Sequence, residues 1–93
     1  MRDLTTLFKA LSEDTRLKII SLLFRHRELT VVEVEEKLGI TQSKASRHLR
    51  YLLNSDMVEY RREGVLVHYK LRKPKDRIEQ KVAKVIKCLI QST

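Results

Sequence analysis

The segment from Thr41 to Asn54 is rich in side chains that bind phosphate groups and the edges of nucleic-acid bases. Arg and Lys donate to phosphate or guanine, Gln pairs with adenine, and Ser bonds to either. The segment contains no carboxylate, and the first one after it is Asp56. A helix face that is merely solvated is the alternative, but such a face usually mixes both signs of charge. The candidate nucleic-acid contacts here are Thr41, Gln42, Ser43, Lys44, Ser46, Arg47, His48 and Arg50.

Apolar spacing places these polar side chains on one face of a helix. The apolar residues recur at i, i+4, i+7 and i+8, which is one side of an α-helix: Ala45, Leu49, Leu52 and Leu53. Gly39 is suited to end the preceding helix, and Thr41 can cap the new one. Two short helices joined by a glycine-containing turn, the second bearing the basic face, predict a helix-turn-helix over residues 31–54.

The flanking segments must position this helix-turn-helix. Residues 1–27 predict two amphipathic helices, with Ser12 or Asp14 as the cap of the second, and residues 28–31 can form a brief extended piece. Two runs rich in β-branched and aromatic residues, separated by Glu63-Gly64, predict a β-hairpin over 57–72. Its basic residues, among them Arg61 and Arg62, make it a candidate wing. The fold class is therefore mostly α with a β-hairpin wing, in the order α-α-α-α-β-β-α.

The last predicted helix, over residues 75–91, has a wider apolar stripe than so small a domain needs for its own core. Domains of this size bury a modest fraction of their surface, and a second copy would add core. We therefore predict a two-fold homodimer through the first and last helices. The predicted interface residues are Leu4, Leu7, Phe8, Val82, Val85, Ile86 and Leu89.

Composition restricts the classes of function. The chain has 93 residues, enough for a single domain over 1–93, with a formal net charge of +8 and a pI of about 9.9. That charge favours nucleic acid as the partner, and no apolar run reaches the roughly 18 residues of a membrane span. The sequence lacks a phosphate-binding glycine loop and a nucleophile with a base, so we expect no enzyme. The single Cys88 excludes an intramolecular disulfide and fits a reducing cytoplasm.

The order of predicted elements resembles the winged helix-turn-helix repressors, and more closely the ArsR/SmtB family of small dimeric regulators. The matching segments are FKALSEDTRLKII at 8–20, ELTV at 28–31, QSKASRHL at 42–49, and the wing residues 58–64 and 68–71. The resemblance implies that a dimer inserts these helices into successive major grooves of an imperfect palindrome in double-stranded DNA. It implies contacts with base edges or nearby phosphates for Gln42, Ser43, Ser46 and His48. It implies contacts with the DNA backbone for Thr41, Lys44, Arg47 and Arg50. Arg61 and Arg62 are expected to contact the DNA that flanks the wing.

The metal sites known in the resembled family lack their ligands in this sequence. Thr30, Val32 and Glu35 stand at the positions of a cysteine cluster, and the last helix offers carboxylates but no histidine. We therefore predict no metal site and no cofactor, and the inducer remains unknown. Cys88 is either a small buried hydrophobe or one thiol of a pair across the dimer axis.

Three functions compete at this point. The first is a sequence-specific repressor that binds a palindromic operator as a homodimer in the cytoplasm. The second is a non-specific architectural protein that coats DNA, which the net charge of +8 supports equally well. The third is a protein-interaction module whose last helix binds a different subunit. The capacity of Gln42 and Ser46 to read base edges favours the first.

Overall fold

A computed structural model describes the backbone of residues 4–91 and the side chains of residues 5–89. The elements are helices α1 (Leu4–Leu11) and α2 (Asp14–Arg25), strand β1 (Leu29–Thr30), helices α3 (Val31–Leu38) and α4 (Gln42–Asn54), strands β2 (Val58–Glu63) and β3 (Leu66–Leu71), and helix α5 (Arg77–Gln91). The predicted mostly helical fold with a hairpin is confirmed. Within the described range, no helix combines the length and the apolar character needed to cross a membrane.

The sheet has three antiparallel strands in the order β1-β3-β2, so the brief extended piece near residue 29 is a strand of its own. The hairpin turn differs from the predicted one by a residue. Glu63 pairs with Leu66, and the turn is formed by Gly64 and Val65 rather than by Glu63 and Gly64. Gly64 has a φ of 60°, which a residue with a side chain rarely adopts, so the turn begins there.

The core lies where α2, α3, α4 and the sheet meet. Its largest fully buried side chains are Ile19, Ile20, Val34, Leu49, Leu52 and Val58. Because α2 contacts helices on more than one side, its buried surface runs through Ile19 and Ile20. Leu17 of the same helix is 40% exposed. The cap of α2 is Glu13 and neither of the predicted residues, because its carboxylate accepts from the N–H of Arg16 at 2.9 Å.

Capping residues fix the geometry of the helix-turn-helix. Thr30 and Glu33 form a reciprocal capping box at the start of α3, and the bond from the Thr30 N–H lowers the pKa of Glu33. Gly39 ends α3 in the left-handed conformation, with a φ of 64°, and donates to the carbonyl of Glu35. The Thr41 hydroxyl then accepts from the Lys44 N–H at 3.2 Å and caps α4, as predicted.

The structure divides the predicted dimer face in two. Leu7 is 4% exposed, and it lines an open apolar cavity of about 280 Å³ with the half-buried Val82 and Ile86 of α5. Leu7 is thus buried within its own chain, which corrects its assignment to the partner. Val82 and Ile86 are only half-buried beside an open cavity, and their assignment to the interface stays a prediction. Four apolar side chains on the outer surfaces of α1 and α5 are exposed: Phe8, Ile78, Val85 and Leu89. The prediction missed Ile78. The side chain of Leu4 lies outside the described residues.

Candidate nucleic-acid interface

The outward face of α4 gathers most of the predicted contacts. Its inner side is fixed by Ala45, Leu49 and Leu52, each with no exposed surface. A helix buried on that side turns its opposite side to solvent. The fully outward side chains are Gln42, Ser43, Ser46, Arg47 and Arg50, Thr41 is exposed just ahead of them, and Lys44 is half-buried at the edge.

His48 does not belong to the outward face, which corrects the prediction that it contacts DNA. It is only 8% exposed. It follows Ala45 by three residues and precedes Leu52 by four, so the helical period places it on the apolar side. Its Nδ1 lies 3.6 Å from the Glu13 carboxylate at the start of α2.

Burial lowers the pKa of His48, and the nearby cations Arg47, Arg16 and Lys44 lower it further. The Glu13 carboxylate raises this pKa, but the net pKa is still lowered. The imidazole is therefore neutral at pH 7, and its contact with Glu13 is polar rather than an ion pair. Burial acts to raise the pKa of Glu13, but hydrogen bonds from the Arg16 and Thr15 N–H groups outweigh it and the net pKa is lowered. The carboxylate is thus charged and holds the start of α2 beside α4.

Two carboxylates hold Arg61 in the wing. Its Nη2 donates to Glu28 at 2.8 Å and its Nη1 donates to Glu63 at 2.9 Å. The hydrogen bond from Arg61 lowers the pKa of Glu28, and both carboxylates raise the pKa of Arg61. His68 of β3 lies 3.5 Å from the same Glu28 carboxylate. The charge of Arg61 is therefore offset, and its guanidinium fastens the hairpin to the residue ahead of β1.

Arg62 has a different environment from its neighbour. It is exposed, and within the described side chains no carboxylate forms an ion pair with it. The wing tip beyond it carries Val65, which is 96% exposed. Of the two predicted wing cations, Arg62 is the one whose charge is available to an anionic partner.

Sequence reasoning missed the residues that orient the interface. The role of Glu28 had no local signal, because its contact with Arg61 depends on a pairing across 33 positions of the chain. The spacing of Thr30 and Glu33 is a recognisable capping-box signature, so that pair carried a signal in the sequence. Arg16, which contacts α4 through Tyr51, carried no such signal.

No group of three or more His, Cys, Asp or Glu side chains within the described part of the chain is arranged to hold a metal ion. Two positions where the resembled family has cysteines have structural roles in α3 here. Thr30 caps the start of the helix, and the carbonyl of Glu35 accepts from the Gly39 N–H at its end. Cys88 is exposed in the single chain, so its interpretation as a small buried hydrophobe is wrong at the level of the monomer.

A short α3, a left-handed glycine turn, an α4 with an exposed basic face, and a following β-hairpin define a winged helix-turn-helix protein. The family description "Bacterial regulatory protein, arsR family" matches residues 13–60. The chain belongs to this family, whose fold is that of transcriptional regulators rather than enzymes.

Individual relatives agree with this assignment. The chain is 45% identical over 69 residues to a cadmium resistance transcriptional regulatory protein CadC homolog from Staphylococcus aureus, covering 74% of this chain and 57% of that protein. It thus spans little more than half the length of this curated relative. Its fold is similar to the transcriptional repressor BigR from Xylella fastidiosa, with a TM-score of 0.77, 31% identity, and coverage of 94% of this chain and 82% of that one.

A second solved structure with a similar fold is the homodimeric winged helix-turn-helix DNA-binding domain of a possible ArsR-family regulator from Mycobacterium bovis. The TM-score is 0.74 and the identity is 30%, over 95% of this chain and 74% of that one.

The environment of His48 predicts a pH dependence of stability. The unfolded chain protonates this histidine near pH 6.5, whereas the folded chain, with its lowered pKa, does so only at lower pH. The free energy of unfolding should therefore fall as the pH drops from 7.5 through 6.5 toward 5.5.

Urea unfolding at several pH values tests this prediction. The free energy of unfolding should decline less steeply with falling pH for His48→Gln than for the wild type. Equal slopes for His48→Gln and the wild type would contradict the account.

Proposed function

We propose that this protein is a sequence-specific repressor that binds a palindromic operator in double-stranded DNA as a homodimer in the cytoplasm. The observation that carries the proposal is the outward face of α4, which presents Arg, Lys, Gln and Ser side chains and no carboxylate. Its fixed orientation, set by the buried inner side of α4, suits insertion into a major groove.

The role of each side chain follows from its position. Gln42, Ser43 and Ser46 lie on the first turns of α4, which in this class of motif contact base edges. Arg47 and Arg50 lie further along and are suited to the phosphate backbone, together with Thr41 and Lys44 at the start of the helix. In the wing, Arg62 is suited to a flanking phosphate, while Arg61 holds the hairpin in place. His48 positions α4 from its buried side.

Exposed apolar side chains support the homodimer. Phe8, Ile78 and Val85 are each more than half exposed, with fractions of 55%, 55% and 58%. They lie on the two helices at the ends of the described chain, away from the outward face of α4. A second copy covering them would bring two α4 helices into one assembly. Two-fold symmetry then predicts half-sites one DNA turn apart, roughly 34–36 Å.

Arg47→Ala tests the phosphate contacts. The variant should bind duplex DNA more weakly, because each subunit loses one phosphate contact and releases fewer counterions. The slope of log affinity against log salt should decrease by about one per lost contact, measured by fluorescence anisotropy at several salt concentrations. Arg77→Ala, at an exposed arginine in the first turn of α5, is the control and should keep the wild-type slope. An unchanged slope for Arg47→Ala would remove Arg47 from this role.

Leu89→Glu tests the homodimer. A carboxylate on the outer face of α5 would be buried without a partner in a dimer, which is costly. Light scattering should give a mass of two chains for the wild type and one chain for the variant. Gln80→Glu adds the same charge about two and a half helical turns away, on the opposite side of α5, and should remain dimeric. A dimeric Leu89→Glu protein would refute this interface.

A further inference from the structure

Arg16 of α2 binds the end of α1. Its Nε donates to the carbonyl oxygen of Ala10 at 2.8 Å, and its Nη2 donates to the carbonyl oxygen of Lys9 at 3.0 Å. Both carbonyls lie in the last turn of α1, where the regular helical hydrogen bonds end. The Lys9 carbonyl also accepts from the N–H and the hydroxyl of Ser12, at 3.2 and 2.8 Å. The positive guanidinium also suits the negative end of the helix dipole. Arg16 and Ser12 therefore cap the C-terminal end of α1 together, and Arg16 is the member of the pair that lies on α2.

The same guanidinium contacts α4. Its central carbon lies 3.9 Å from the centroid of the Tyr51 ring, within the range of a cation–π interaction. Tyr51 lies one turn after Arg47, at the border of the outward face. A second contact, between Glu13 and His48, joins the same first turn of α2 to the same side of α4. Two neighbouring contacts therefore hold α4 against α2. Arg16, which makes one of these contacts, also binds the end of α1.

We propose that Arg16 is a positioning residue that, in addition to the apolar packing of α4, fixes the angle of α4 relative to α1 and the dimer face. Phe8, a residue of that face, lies on α1, one residue before the Lys9 carbonyl that Arg16 binds. One guanidinium therefore joins α1, which carries part of the predicted dimer face, directly to α4. Arginine is needed because its planar group donates along its edge while its flat side covers a ring, and a lysine ammonium cannot do both.

The consequence for DNA binding rests on the proposed function. A dimer that binds a palindrome must present both α4 helices at the correct mutual angle and distance. A change in the angle between α4 and α1 would therefore weaken binding to a full palindrome, which both subunits must fit at once. Binding to a single half-site, which one α4 can adjust to alone, would change far less.

Amide hydrogen exchange without DNA tests the contact itself. In Arg16→Lys, amides of α4 should exchange about two- to fivefold faster than in the wild type, the size expected for losing a cation–π contact. Tyr51→Leu should give the same increase, the double variant should add nothing to it, and Tyr51→Phe, which keeps the ring, should behave like the wild type. Arg25→Lys, at the other end of α2, is the control. Unchanged exchange in Arg16→Lys would overturn the inference.

DNA binding then tests the positioning role. The probes are the symmetric duplex that the wild-type protein selects and the same duplex with one half scrambled. Arg16→Lys should lose about fivefold in affinity for the symmetric duplex and less than about twofold for the scrambled one. Equal losses on both duplexes would overturn the positioning role while leaving the repressor proposal intact. A wild-type protein that binds no duplex would refute the proposed function, and hydrogen exchange would then decide the Arg16 contact alone.

Discussion

Burial of one side of α4 is the constraint on which the rest of the interface depends. Ala45, Leu49 and Leu52 have no exposed surface, and a fully buried leucine stabilises a fold by about 1.5–3 kcal/mol. An exposed ion pair contributes only about 0–1 kcal/mol. The apolar contacts therefore decide which way α4 faces, and its polar residues take the opposite side regardless of their own pairing. The basic surface is a consequence of how the core is packed.

Three of the described carboxylates serve the framework and not the basic surface. Glu13 caps α2 and faces His48, Glu33 closes the capping box of α3, and Glu28 fastens the wing through Arg61. Each of these acids has a lowered pKa because hydrogen-bond donors favour its charged form. With the acids engaged elsewhere, the outward face of α4 keeps an unopposed positive charge. These acidic side chains therefore stabilise the framework, while the basic side chains of α4 form the candidate interface.

Much of this arrangement could be predicted from local signals, and the rest depends on contacts between distant segments. Gly39 and Thr41 are stop and start signals that act within a few residues, so the helix-turn-helix was predictable. His48 was misassigned from its residue type although its helical position already indicated burial. Apolar periodicity also cannot distinguish a side chain that is buried in its own chain, such as Leu7, from one that stays exposed on it, such as Phe8. That distinction requires the tertiary structure.

The most direct test of the central claim is selection of bound DNA from a random duplex pool by the purified protein at moderate salt. The account predicts a two-fold symmetric consensus whose half-sites are about 10–10.5 base pairs apart, because two outward α4 faces would read adjacent major grooves. A pool that yields no consensus, with binding that declines smoothly as salt rises, would contradict it. The basic face would then be a surface that coats phosphates without reading sequence.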